Sequence, residues 1–129
     1  MIRVLVVDDH ALVRDGLREL LADRPELSVV GEATNGVEAV ERAHALHPDV
    51  VVMDVSMPEV DGVEATRRIR ELLPRVIVLG LSTQERTDQL HAIELAGAAG
   101  YFSKTDDAHL LVDRLLAIHR ERSGPAVVG

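Results

Sequence analysis

The sequence predicts an α/β fold: a three-layer sandwich with one parallel five-stranded sheet between two layers of helices. Short apolar runs alternate with segments of helical period five times along the chain, the pattern of strands that are buried on both faces and joined by helices. Pro25, Pro48 and Pro74 follow three of the helical segments, where a ring that cannot continue a helix marks its end. At 129 residues the chain is long enough for one core and short for two.

The strand candidates are residues 3–7, 28–31, 50–53, 76–81 and 100–103. Between them, Val13, Leu17, Leu20 and Leu21 form the apolar stripe of a first helix. Ala39, Val40, Ala43 and Leu46 do so for a second, and Ala65, Ile69, Leu72 and Leu73 for a third. Asn35, with Glu38 three residues on, is the expected N-cap pair of the second helix. The fourth helix, about residues 84–96, has only Leu90, Ile93 and alanines to hold it, so it is expected to shift most easily. Ala108, Leu111, Val112 and Leu115 mark the fifth, which fades into the charged segment 119–122. The segment SGPAVVG, 123–129, has no period and reads as a linker or tail. Right-handed crossovers then gather the functional loops at the carboxyl edge of the sheet.

Apolar residues make up 47% and aromatics only 2%, so Val, Leu, Ile and Ala must build the core. The absence of cysteine excludes disulfides, a thiolate nucleophile and cysteine-ligated zinc. No apolar run approaches the roughly 20 residues that span a bilayer, and no signal-type segment opens the chain. A cytoplasmic protein without membrane contact is expected. Fourteen basic against 22 acidic residues give a net charge of -8, the wrong sign for gripping a phosphate backbone directly.

The chemistry gathers at the strand ends. Asp8 and Asp9 close the first strand and Asp54 the third. Neighbouring strands lie about 4.8 Å apart, so these carboxylates repel one another unless a cation sits among them. An all-oxygen set with few protein ligands suits Mg²⁺ better than Ca²⁺. Lys104 follows the fifth strand, and Ser82 with Thr83 the fourth, adding a fixed positive charge and hydroxyls at the same edge. Taken singly, each has an ordinary role. An acid pair caps a helix, a lysine decorates a surface, and Met57, Pro58 and Gly62 shape a loop. Together they describe a carboxylate, Asp54, able to attack phosphorus and become an acyl phosphate.

VLVVDDH (4–10), VVVMDVSMPEVDG (50–62), the LS pair at 81 and 82, and GYFSK (100–104) resemble, in order and spacing, the motifs of receiver domains of bacterial two-component response regulators. The resemblance covers residues 2 to about 120. It implies the flavodoxin-like (βα)5 fold with sheet order 2-1-3-4-5. It also implies that Asp54 is the phosphoacceptor and Asp9 a direct Mg²⁺ ligand. Asp8 would bind the ion through water and Ser56 through its backbone carbonyl. Ser82 would be the switching hydroxyl, Tyr101 the aromatic that changes rotamer with it, and Lys104 the phosphate-pairing lysine. VVDDHALVRDGL, VVGEATNG and GYFSKTD are most similar to receivers joined to a LuxR/NarL-type helix-turn-helix output domain. Thr105 replaces the proline many receivers carry there, so that loop need not hold a cis peptide.

The resemblance thus implies a phosphorylation switch in residues 1–122, fed by a sensor histidine kinase, with 123–129 as linker or tail. The DNA-binding output domain is absent from the chain, so transcription would be controlled through that domain and through dimerisation. Two dimer surfaces stay open: the first and fifth helices, or the fourth helix with the fifth strand. A stand-alone receiver in a phosphorelay is the alternative. An aspartyl-nucleophile phosphohydrolase is less favoured, because Ser56 stands where such enzymes place a general acid. A nucleotide-binding sheet is disfavoured by DDH, which repels phosphate, and by the lack of a glycine-rich loop. No cofactor beyond Mg²⁺ is expected, nor catalysis beyond the domain's own phosphorylation and dephosphorylation. His44 and His47 share a helix face but lack an evident third metal ligand, and His10 reads as a loop residue beside the metal.

Overall fold

A computed structural model of the chain describes residues 1–55, 62–82, 87–103 and 108–122. Five strands, β1 (Ile2–Val7), β2 (Leu27–Ala33), β3 (Val50–Asp54), β4 (Ile77–Ser82) and β5 (Gly100–Ser103), alternate with α1 (Ala11–Ala22), α2 (Gly36–Leu46), α3 (Gly62–Leu72), α4 (Thr87–Leu95) and α5 (Ala108–Arg122). All pair in parallel, in the order β2-β1-β3-β4-β5. This is the flavodoxin-like arrangement expected from the sequence.

Strands β1, β2 and β3 run longer than their predicted spans, β4 is shifted by one residue so that Val76 falls outside it and Ser82 within, and β5 has the predicted bounds. Asp54 pairs with Leu81, and Ser82 with Ser103, because a parallel ladder bonds backbone groups whatever the side chain. Both polar residues are therefore the last members of strands rather than the first of loops. In α4 the described helix begins at Thr87, and residues 84–86 of the predicted span lie outside the described residues. Ala98 N–H donates to Ile93 O at 3.0 Å and Gly97 N–H to Glu94 O at 3.0 Å. This double closure needs the positive φ of Gly97, +114°, which a glycine adopts without strain.

Strand pleating divides the core in two. Val4, Val6, Val50, Val52, Leu79 and Leu81 face one way, packed under Leu17 and Leu21 of α1 and Leu111, Val112, Leu115 and Leu116 of α5. Leu5, Val7, Val51, Met53 and Val78 face the other, under Ala39 and Ala43 of α2, Ala65 and Ile69 of α3 and Ile93 of α4. Leu72 departs from its predicted place in the α3 stripe and is 47% exposed. Ile69 and Leu73 carry the stripe at a spacing of four, which leaves Leu72 at its margin. Asn35 caps α2 as expected, its side chain accepting from Glu38 N–H at 2.8 Å. The return bond from Glu38 reaches Thr34 N–H at 3.0 Å, one residue before the cap.

Gly62 fixes how α3 meets β3. Its N–H donates to Val55 O at 3.2 Å, and a Cβ there would stand 2.2 Å from Asp54 O and 2.7 Å from Val55 Cα. Only glycine lets the helix start against the strand end. Gly16, in the middle of α1, has nothing within 4 Å of its Cβ position. Gly62→Ala should therefore destabilise the fold by about 3 kcal/mol or more, whereas Gly16→Ala should stabilise it by roughly 0.5–1 kcal/mol. Urea unfolding of both variants checks the pair.

On the outer face of α3, Glu64 bonds Arg67 at 2.5 Å and Arg68 at 2.8 Å, and Arg67 bonds Glu71 at 2.6 Å. The Arg67 guanidinium first, then that of Arg68, holds the Glu64 carboxyl down from 4.5 to about 2. A carboxyl with a depressed folded-state pKa adds stability above its unfolded pKa and loses it as pH falls through the folded one. The stability gap between wild type and Glu64→Gln should thus be full above pH 4.5 and close toward about pH 2. Carboxyl-carbon NMR should still find Glu64 ionised at about pH 3, where ordinary glutamates are protonated.

Candidate functional site

The site stands at the carboxyl edge of β1 and β3, where Val7 pairs with Met53. Asp8 follows directly, its N–H extending the ladder to Ala33 O at 3.1 Å, and is fully buried. Asp54 closes β3 and is only 2% exposed. Asp9 and His10 turn outward, with side chains 29% and 67% exposed. One ligand atom from each of Asp8, Asp9, His10 and Asp54 lies within 4.8 Å of the others, and among the described residues no other cluster of three or more such side chains occurs.

Local backbone chemistry holds this turn. Asp8 Oδ1 accepts from His10 N–H at 2.9 Å, the short side-chain-to-backbone closure that aspartate favours at a helix entrance. His10 is the N-cap of α1, extended at φ -102° and ψ 117°, and its ring makes no capping bond. Instead Nδ1 lies 3.3 Å from Asp8 Oδ1 and 3.0 Å from Asp9 Oδ1. One turn into α1, Arg14 donates to the Asp8 carbonyl at 2.6 Å and to Glu32 at 3.3 Å. Glu32 in turn takes a 2.6 Å bond from Arg18. This clamp ties the end of β2 to the backbone of Asp8.

The donor chemistry fits a hard divalent ion. Octahedral metal–oxygen bonds of about 2.1 Å place donors up to roughly 4.2 Å apart across the ion, close to the spread of this cluster. A cation there also compensates carboxylates that the fold has withdrawn from water.

Of the other sequence-predicted residues, Ser82 is 3% exposed at the end of β4, and Tyr101 on β5 is 41% exposed. Ser56, Thr83 and Lys104 lie outside the described residues. The rings of His44 and His47 stand 6.3 Å apart, with no third ligand among the described residues. Sequence reasoning missed the Arg14–Glu32–Arg18 clamp, while His10 stands beside the acid cluster as read. The spacing of four between His10 and Arg14 was the available signal, since it puts both above the same helix entrance.

The sequence profile of the response regulator receiver domain matches residues 4–116. The chain belongs to this family. Receiver domains are the phosphorylation switches of two-component systems, receiving phosphoryl groups from histidine kinases and binding Mg²⁺ at an acidic pocket. The response regulator GacA of Pseudomonas viridiflava is 48% identical over 104 residues, covering 81% of this receiver chain and 49% of the relative. LiaR of Bacillus subtilis, a transcriptional regulatory protein, is 44% identical over 117 residues, 91% of the chain and 56% of the relative. A protein-glutamate methylesterase/protein-glutamine glutaminase of Methanosarcina acetivorans is 41% identical over 126 residues, 91% of the chain and 36% of the relative. The receiver thus spans about a third to a half of the length of these curated relatives. Among solved structures, a LuxR-family response regulator from Aurantimonas sp. SI85-9A1 superposes with a TM-score of 0.89 at 37% identity, covering 95% of this chain and 87% of that one. The receiver domain of a putative NarL regulator from Mycobacterium tuberculosis gives 0.86 at 33%, covering 92% and 96%.

The Arg14 clamp is testable apart from phosphorylation. Its side chain is 16% exposed, so Arg14→Ala leaves the Asp8 carbonyl without that donor and should cost about 2 kcal/mol in urea unfolding.

Proposed function

We propose that this receiver takes a phosphoryl group from a sensor kinase's phosphohistidine onto Asp54 and relays the change to an output domain. The observation that carries the reading is the buried Asp54 carboxylate at the end of β3, with an oxygen in the same 4.8 Å cluster as Asp8 and Asp9. An Asp54 oxygen attacks phosphorus, the phosphorus–nitrogen bond to the donor imidazole breaks, and an acyl phosphate results. Asp9 and Asp54 would hold Mg²⁺ directly, with the Ser56 backbone carbonyl, and Asp8 through water. Bound there, the ion neutralises the negative charge that carboxylates and phosphoryl oxygens bring together. Lys104 would pair with the phosphate. Ser82, buried one strand away, would turn its hydroxyl to a phosphate oxygen, and the exposed Tyr101 would swing inward behind it. Shifting such a two-state surface from about 1:99 to 99:1 requires roughly 5.5 kcal/mol of differential contact.

The output we infer is a helix-turn-helix DNA-binding domain beyond residues 1–122, with 123–129 as linker or tail and homodimerisation on phosphorylation. The LuxR-family structural neighbour and the GacA and LiaR relatives support it. The methylesterase relatives show that such receivers also serve an enzyme output. A cytoplasmic setting fits a chain in which no described helix is long and apolar enough to cross a membrane.

Incubation with Mg²⁺ and a small acyl phosphate, read by intact mass, should add one phosphoryl group to wild type and none to a folded Asp54→Asn variant. Label persisting in that variant would place the nucleophile elsewhere. Rapid multiple-turnover hydrolysis of an aryl phosphate would identify a phosphohydrolase instead.

A further inference from the structure

We propose that His10 is itself a ligand of the divalent ion, so that the site is a mixed nitrogen–oxygen one. It would then hold Mn²⁺ and the later first-row ions more tightly than carboxylates alone would. The inference rests on the cation site proposed above and assigns it a donor that an all-oxygen reading omits.

The geometry comes first. Nδ1 of His10 lies 3.0 Å from Asp9 Oδ1, the separation of neighbouring donors around one octahedral ion with bonds near 2.1 Å, and 3.3 Å from Oδ1 of Asp8, the carboxylate assigned to the ion's water. It also falls in the same 4.8 Å set as Asp54. The backbone that carries the ring is held, since His10 N–H donates to Asp8 Oδ1 at 2.9 Å and His10 O accepts from Arg14 N–H at 3.1 Å. As N-cap of α1 the side chain makes no capping bond, so it does not serve the helix. Its 67% exposure leaves the ring room to turn and an ion a way in.

The chemistry follows. Imidazole binds Mn²⁺, Ni²⁺ and Zn²⁺ along the Irving–Williams order, whereas Mg²⁺ favours oxygen donors. A ring nitrogen beside three carboxylates therefore changes which ion the site prefers more than whether it binds one. The competing reading, in which His10 is an ion-pair partner of Asp8 and Asp9, predicts the opposite response to its removal. A paired imidazole occupies the carboxylates and opposes the cation, while a ligand supports it.

The test is a titration of Mn²⁺ into the full chain at one fixed pH, followed by electron paramagnetic resonance, for wild type, His10→Ala and Asp9→Asn. Wild-type Mn²⁺ should show ¹⁴N couplings that vanish in His10→Ala. That variant should lose roughly 10- to 100-fold in Mn²⁺ affinity, at least the cost of a lost outer-shell partner. Its Mg²⁺ affinity, read by competition against Mn²⁺, should change much less. Bound Mn²⁺ without nitrogen coupling, or His10→Ala binding as tightly as wild type or more so, would overturn the ligand role and leave the carboxylate site standing. Mn²⁺ binding unchanged in Asp9→Asn would overturn the cation site, and the His10 assignment with it.

Discussion

Everything at the carboxyl edge depends on three carboxylates that the strand order forces together. Asp8 and Asp54 are distant in sequence but become neighbours because β3 inserts beside β1. Both are buried at the ends of a sheet whose central strands are packed on both faces. Two like charges about 4.8 Å apart repel by about 3.5 kcal/mol at an effective dielectric constant of 20, which sets the scale of the effect against the roughly 5–15 kcal/mol that stabilises a domain. The sheet is too well packed to relieve this by moving apart. Positive charge at this edge offsets the repulsion, and the topology gathers the oxygens where a cation would supply it.

The two helical layers answer the sheet differently. Leu17, Leu21, Leu111, Leu115 and Leu116 fill one side with large aliphatic groups, an interface that is costly to rearrange. On the other side, α2 presents Ala39 and Ala43, α3 presents Ala65 with the fully buried Ile69, and Ile93 anchors α4. Ile93 rests over Gly80, where a Cβ would come within 2.9 Å of its Cδ1 and 3.3 Å of Val55 Cγ2. Gly80 and Ser82 are two apart on β4 and so face the same way. The proposed switching hydroxyl of Ser82 thus lies two residues along the strand from the seat of α4.

The sequence was a sound guide wherever a periodic pattern decided the outcome. The five strand–helix pairs follow from runs such as VLVV and VVVM and from stripes such as Ile69 and Leu73. Strand ends were less legible, because Asp54 and Ser82 remain in the ladder through backbone bonds that carry no side-chain signature. The same limit explains the α2 cap, where the Asn35–Glu38 pair was readable but the return bond to Thr34 N–H depends on rotamers. Arg14 was hardest, since its main acceptor is a carbonyl of Asp8, and carbonyls are identical along every sequence. Clustering of Asp8, Asp9 and Asp54 was legible from their shared place at strand ends, whereas the full strand order came from resemblance rather than from spacing.

The site also divides labour between fixed and adaptable groups. Asp54 and Asp8 are positioned by the sheet, and the backbone of Asp8 is clamped further through Arg14 to Glu32 of β2. Such over-determined placement leaves these two carboxylates little freedom to reorganise, which is what the phosphoacceptor role proposed for Asp54 requires. Asp9 and His10 sit outside that frame, partly or largely exposed, and can follow an ion as it enters or leaves. Between them is the first turn of α1, tied to Asp8 by the bond from His10 N–H. The buried pair is therefore linked to the start of α1 by a direct hydrogen bond, whereas, among the described residues, α4 meets the sheet through apolar packing of Ile93.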